Sequence, residues 1–430
     1  MKKKHLFCTC VVAFSCVLFL WSCVPDDRHG HVNPNDTNCV DTNLYNESTS
    51  INDNYNSAIP YVKIFVENSG SMFGYVKGYT EFKDVISKIV YDDDFIKENV
   101  SRSYFFINGG DGIPNKHFSD GQSFIESLNE GKMRSGNYKT SDLNCMLKTM
   151  LAGANGDTVT ILISDGIYDI GSNNLSGLKS KGQATKSTFM EMLKMNESIQ
   201  TMVIKMVSSF DGKYCYATNS SSSYICKPRP YYIWIFGKAD VLNKYFPDEK
   251  NSRWPGFCNS ARFQTIQQSN LPFVISGDGK KGAFSFHGDN VLSKCKTHHN
   301  VFAFSIIVDY GALPYPDDFL KDISNYSCDN DFRITNIAKA NDKSIVSAGV
   351  SIYKRPFVIT VETNRKPLGS LNIKLNNNIP TWIKATNTDD EENIDSEHTF
   401  GFGTLMDGVV NAYSAMSATS PATFSVIFKK

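Results

Sequence analysis

Apolar residues follow two rhythms along the 430-residue chain. Up to about residue 250, continuous apolar runs alternate with stretches in which apolar residues recur every third or fourth position. The first run, 61–66, carries Val62, Ile64, Phe65 and Val66 and predicts a strand. The next stretch, 80–91, sets Phe82, Val85, Ile86, Ile89 and Val90 on one face of a helix. Further strands are predicted at 103–109, 158–164, 200–208 and 231–237. A second clear helix, 142–153, repeats the facial pattern with Leu143, Met146, Leu147, Met150 and Leu151. Shorter helices fit "STFMEMLKM" and "KADVLNKYF", and a hairpin precedes 231. Strands this apolar, alternating with helices, predict an α/β fold: a doubly wound, mostly parallel sheet covered on both faces.

Beyond about residue 255 the rhythm becomes that of short strands cut by Gly, Pro, Asn and Asp turns, as in "NVFAFSIIVDY" and "PFVITVET". This predicts a β-rich second domain, a sandwich or a sheet packed on the first, closed by a helix in "GFGTLMDGVVNAYSAM" and a strand in "TFSVIFK". The N-terminus differs from both. "MKKKHLFCTCVVAFSCVLFLWSC" has a basic start and an apolar run too short to span a bilayer, and it resembles a bacterial lipoprotein signal peptide with Cys23 as the lipidated residue. Acyl chains on Cys23 would give stable anchoring, and Asp26 and Asp27 resemble export signals of outer-membrane lipoproteins displayed at the cell surface. Residues 24–59 are rich in Asn, Asp, Ser and Thr and nearly free of apolar periodicity, which reads as a tether. The expected organisation is therefore a signal at 1–22, a flexible tether at 23–57, an α/β domain at 58–250 and the β-rich domain at 255–430.

Charge narrows the partners. Lys plus Arg and Asp plus Glu both number 44, so no overall basic field favours nucleic acid, and loss of Lys2, Lys3 and Lys4 with the signal leaves the rest slightly acidic. Seven cysteines remain after the signal and Cys23 are set aside: Cys39, Cys145, Cys215, Cys226, Cys258, Cys295 and Cys328. The odd number leaves a free thiol, with Cys39 and Cys145 as candidates. Cys215 and Cys226 flank a serine-rich turn and would either bridge a hairpin or lie as two buried thiols.

The candidate chemistry lies where strands end. The first strand stops at "ENSGS", presenting Glu67, Ser69 and Ser71, with Gly70 expected to let the backbone approach closely. The strand at 158–164 stops at Ser164-Asp165-Gly166, and Thr140 and Ser141 precede the second helix. In such sheets ligands bind beyond the carboxyl ends of the strands. Two carboxylates and several hydroxyls there suit a hard cation, Mg²⁺ first, with Mn²⁺ or Ca²⁺ as alternatives. Taken singly, each group has a plainer reading: Ser69 and Ser71 as turn formers, Ser141 as a helix cap, Asp-Gly as a turn. Together, over residues 58–240, they resemble the von Willebrand factor A family, whose metal-ion-dependent adhesion site uses Asp-x-Ser-x-Ser, a Thr before a helix and a later Asp. The resemblance implies a Rossmann-like sheet and a metal held by Glu67, Ser69, Ser71, Ser141 (or Thr140) and Asp165. It also implies an open position for an Asp or Glu of a protein partner. Glu67 stands where the family has aspartate; it would either coordinate directly or crowd the ion out.

Elsewhere the chemistry is thin. "SGDGKKGAFSF" lacks the phosphate-loop pattern, Cys295, His298 and His299 read as a turn, and neither a Gly-x-Ser-x-Gly elbow nor a nucleophile–base pair is present. The expectation is a membrane-anchored, non-enzymatic adhesion-type protein. A metal-free scaffold, or a hydrolase with its chemistry in the second domain, are the alternatives.

Overall fold

β1 (Tyr61–Glu67) lies at the heart of a seven-stranded sheet. It pairs in parallel with β2 (Ser101–Ile107) on one side and β4 (Thr158–Ser164) on the other. This computed structural model describes residues 59–169, 175–217, 222–266, 270–376, 378–391, 394–395, 397–417 and 421–430, all within one compact unit. The signal segment, Cys23, the tether and Cys39 lie outside the described residues. No helix among the described residues is long and apolar enough to cross a membrane.

The remaining strands are β3 (Pro114–Phe118), β5 (Ile199–Ser208), the hairpin β6 (Asp211–Cys215) and β7 (Ser222–Cys226), β8 (Arg229–Lys238) and β9 (Phe257–Phe263). The sheet order is β3-β2-β1-β4-β8-β5-β9. It is a mixed sheet, in which parallel pairing joins only β1 to β2 and β4. β8 runs antiparallel to both β4 and β5, because the hairpin turns the chain straight back after β5 and slots β8 into the gap. β1, β2, β4 and β5 still point the same way, so their carboxyl ends gather at one end of the sheet.

Alternation along the strands sorts side chains between two cores. Val62, Ile64, Val66, Val159, Ile161, Ile163, Ile233 and Ile235 face one side, where α1 (Glu81–Val90) packs Phe82, Val85, Ile86, Ile89 and Val90. Phe65, Leu162, Tyr232, Trp234 and Phe236 face the other, under α2 (Leu143–Gly153), α3 (Leu175–Met195) and α4 (Phe402–Met416). α4 belongs to the last stretch of the chain yet buries Phe402, Leu405, Met406 and Val409 in the core of the first sheet.

The β-rich part is two sheets around a third core. A four-stranded sheet joins Phe273–Lys281, Phe302–Asp309, Pro356–Thr363 and Arg333–Lys339; a five-stranded one is built on Gly369–Leu375 and Ala422–Lys429. Phe304, Ile306, Ile359 and Val361 of the first meet Leu371, Ile373, Phe424 and Val426 of the second, so the two sheets share one core.

Candidate metal centre

Three loops meet at the carboxyl end of β1, and backbone hydrogen bonds stitch them together. Gly70 N–H donates to Tyr138 O (2.8 Å), Gly109 N–H to Thr140 O (2.9 Å) and Asp142 N–H to Gly109 O (2.9 Å). The buried Asn68 amide donates to Met133 O (2.8 Å) and Ser135 O (3.2 Å), and Asn108 donates to Ser135 O (2.7 Å). These contacts carry the 133–142 loop across the end of the sheet and bring Ser141 to β1. Its hydroxyl donates to Glu67 Oε1 at 2.7 Å. The cap of α2 is Asp142, whose carboxylate accepts from Cys145 N (3.1 Å), so Ser141 is not spent on capping. Thr140, the alternative to Ser141, is exposed and contributes its carbonyl.

Ser69 and Ser71 sit at the start of the 3-10 turn Gly70–Val76, and neither side chain caps it. Their hydroxyls lie 3.1 Å apart. A side chain at Gly70 would meet only ordinary contacts, Tyr138 O at 3.6 Å and Cys215 Sγ at 3.7 Å. The close approach expected at Gly70 occurs instead at Gly74, where an added Cβ would fall 2.4 Å from the Phe210 ring.

Asp165 follows β4 in a tight turn. One carboxylate oxygen accepts from Ile167 N (3.1 Å), while Oδ2 is buried with no hydrogen-bond partner. Gly166 makes this turn in the left-handed region (φ 71°), with the Tyr232 ring 2.5 Å from where a Cβ would be.

Both carboxyl groups are buried. Burial, and then the charge of Asp165, push the Glu67 carboxyl up to about 7, against the pull of the Ser164, Ser69 and Ser141 hydroxyls. Asp165 is raised as well, chiefly by burial; the Ser71 hydroxyl, Ile167 N–H and the charge of Arg229 oppose the rise. All five predicted groups thus converge on one spot, with Ser164 added from β4. Two buried carboxyls with an orphaned oxygen and four hydroxyls fit a small dication, which would relieve their mutual repulsion and fill the orphaned position. Among the described residues no group of three or more His, Cys, Asp or Glu side chains is placed to hold a metal, so hydroxyls would have to supply much of the shell here.

Arg229 gave no signal in the sequence, because its neighbours come from distant segments. Its buried guanidinium donates to Asp395 O (2.8 Å) and His398 O (3.4 Å) and lies 4.6 Å from the Tyr214 ring centre. Beside it the buried Glu391 accepts from Tyr214 OH (2.9 Å) and Ala217 N (2.8 Å). Glu391 and Asp395 therefore reach the rim of this site.

The cysteines depart from expectation. The β6–β7 hairpin forms, but its register sets Cys215 opposite Ser222 and Cys226 opposite Asp211. The two thiols stand at opposite ends of the pairing, both exposed and both free, so no bridge closes the hairpin. Cys145, a candidate for the free thiol, is disulfide-bonded.

Comparison with protein-family models, curated proteins and solved structures finds no match to this chain.

Proposed function

We propose that this is a membrane-anchored adhesion-type protein that holds a divalent cation at Glu67, Ser69, Ser71, Ser141 and Asp165 and binds a protein partner through it. The observation that carries the reading is the buried carboxyl pair with one orphaned oxygen, ringed by hydroxyls at the end of a central strand. The order β3-β2-β1-β4, with helices packed on both faces, supports a doubly wound sheet of the von Willebrand factor A kind; β8 would be an insertion into it. Mg²⁺, or Mn²⁺ or Ca²⁺, would supply charge neutralisation and an open position for an Asp or Glu of the partner. The chain's own residues orient that position and exclude competing side chains from it. Anchoring through Cys23 keeps the site at a cell surface; labelled palmitate incorporated by the wild type and not by Cys23→Ala tests that part.

The test of the metal is thermal. Mg²⁺ at about 100 times its dissociation constant stabilises the folded state by roughly 2.7 kcal/mol, and Asp165→Ala should abolish that gain. Glu67→Asp should tighten binding by removing a methylene from a crowded site. A second reading, a metal-free scaffold, is favoured by one observation: the Ser141 hydroxyl already bonds Glu67, and the Glu67 carboxyl, pushed up to about 7, can hold a proton in place of a cation. It wins if wild type and Asp165→Ala melt alike at every metal concentration and calorimetry detects no heat of binding.

A further inference from the structure

The β6–β7 hairpin flanks the candidate site and presents one face to solvent. Lys213 stands directly opposite Tyr224, and Cys215 opposite Ser222, on that outward face. The other face holds Gly212, pressed against Gly74 of the 3-10 turn, and the buried Tyr214. Lys77 reaches across to Tyr224, donating to its hydroxyl at 3.0 Å, and Asp211 is already engaged by both of them. Tyr79, just beyond, is 85% exposed. Lys213, Lys227 and Lys139 are exposed too, and none of them makes an ion pair among the described residues. The surface leads to the site: a Cβ on Gly70 would touch both Cys215 Sγ and Tyr138 O, so the hairpin and the Lys139 loop meet over the loop that carries Ser69 and Ser71.

The rim is therefore basic and aromatic, and the floor beneath it is acidic. Free lysines attract carboxylates, and exposed tyrosines add contact area at small entropic cost. We propose that this hairpin face, with Lys77, Tyr79, Lys139 and Lys227, docks an extended acidic protein segment and guides one of its carboxylates toward the candidate cation. The inference rests on the metal-site reading for its last step, and on the rim alone for the rest.

The probe is a fluorescein-labelled hexaglutamate peptide, titrated into the purified full-length protein with Mg²⁺ and again with EDTA. Lys213→Glu/Lys227→Glu should weaken binding roughly tenfold or more, and added salt should weaken it in the wild type. Lys343→Glu/Lys354→Glu, charge reversals in the β-rich part, should leave it unchanged. Saturating peptide should slow alkylation of Cys215 and leave Cys258 reacting as before. Binding that survives EDTA but is lost on reversal of Lys213 and Lys227 supports the rim and counts against the metal-bridged step. Binding that needs Mg²⁺ but ignores that reversal overturns the rim and leaves the metal site standing. Equal losses from both pairs of reversals, or equal affinity for a single-stranded oligonucleotide of matched charge, also overturn it, because attraction is then unspecific.

Discussion

Glu67 carries one methylene more than an aspartate would, and its buried carboxyl feels the charge of the equally buried Asp165. The folded protein holds the Glu67 proton up to about 7, whereas the unfolded chain releases it near 4.5. Between those values the folded state binds more protons, so stability is fully present below the lower one and is lost as pH rises through the upper. At about 1.4 kcal/mol per tenfold change in the proton equilibrium, the loss is on the order of 3 kcal/mol. Asp165 is shifted in the same direction. In EDTA, the melting temperature should therefore fall between about pH 5 and 8, and Glu67→Gln should flatten that fall. A variant whose pH profile matches the wild type would show that the pair is not where the protons bind. All of the proposed ligands were legible in the sequence, because each sits at a strand or helix end that periodicity locates. Arg229 and Glu391 were not, since their meaning comes only from segments 166 and 177 residues apart folding together.

The loop from Met133 to Asp142 has little secondary structure of its own, and its position depends on amide clamps. Asn68 is the central one, with further contacts to Asn115 (2.9 Å) and the Ser135 hydroxyl (3.1 Å). Asn68→Ala would remove one donor each from the Met133 and Ser135 carbonyls, which keep the Ser135 N–H and the Asn108 amide, and would leave the Asn115 amide without its acceptor, at a cost of about 1–3 kcal/mol for that unsatisfied group. It should also loosen Ser141, so the stabilisation by Mg²⁺ should shrink although every proposed ligand is intact. If the variant gains as much from the cation as the wild type, Ser141 is held by other means. In the first sheet, most element types and boundaries followed from apolar spacing; the helix predicted at 142–153 is Leu143–Gly153. Pairing direction did not follow, because β8 is as apolar as a parallel core strand and only the short hairpin before it forces it antiparallel. Thiol pairing was equally hidden, since a hairpin's register, and not its cysteine spacing, decides which residues face each other.

At the scale of the molecule, the two parts of the chain share structure that a boundary near residue 255 would cut. β9 adds an edge strand to the first sheet beside β5. α4 crosses α3 at Gly408, where a Cβ would come within 2.7 Å of the Gly182 carbonyl, so two glycines let the helices touch. The Phe402 ring stacks on Tyr232 with centres 3.9 Å apart, and the Tyr413 hydroxyl bonds Thr201 at 2.8 Å. Removing α4 would uncover the face built by Phe189, Tyr232 and Trp234, an area of order 150–250 Å² for each aromatic side chain. A chain ending at residue 255 should therefore fail to fold, even though it contains every proposed metal ligand. In the full-length protein, Leu405→Ala should cost about 2–5 kcal/mol, because it deletes a fully buried side chain. That loss should appear equally in near- and far-ultraviolet circular dichroism, as one transition, if the sheet and its C-terminal helix unfold together. Two separate transitions, or a cooperative melt from the chain ending at 255, would mean that α4 merely covers a domain able to stand without it.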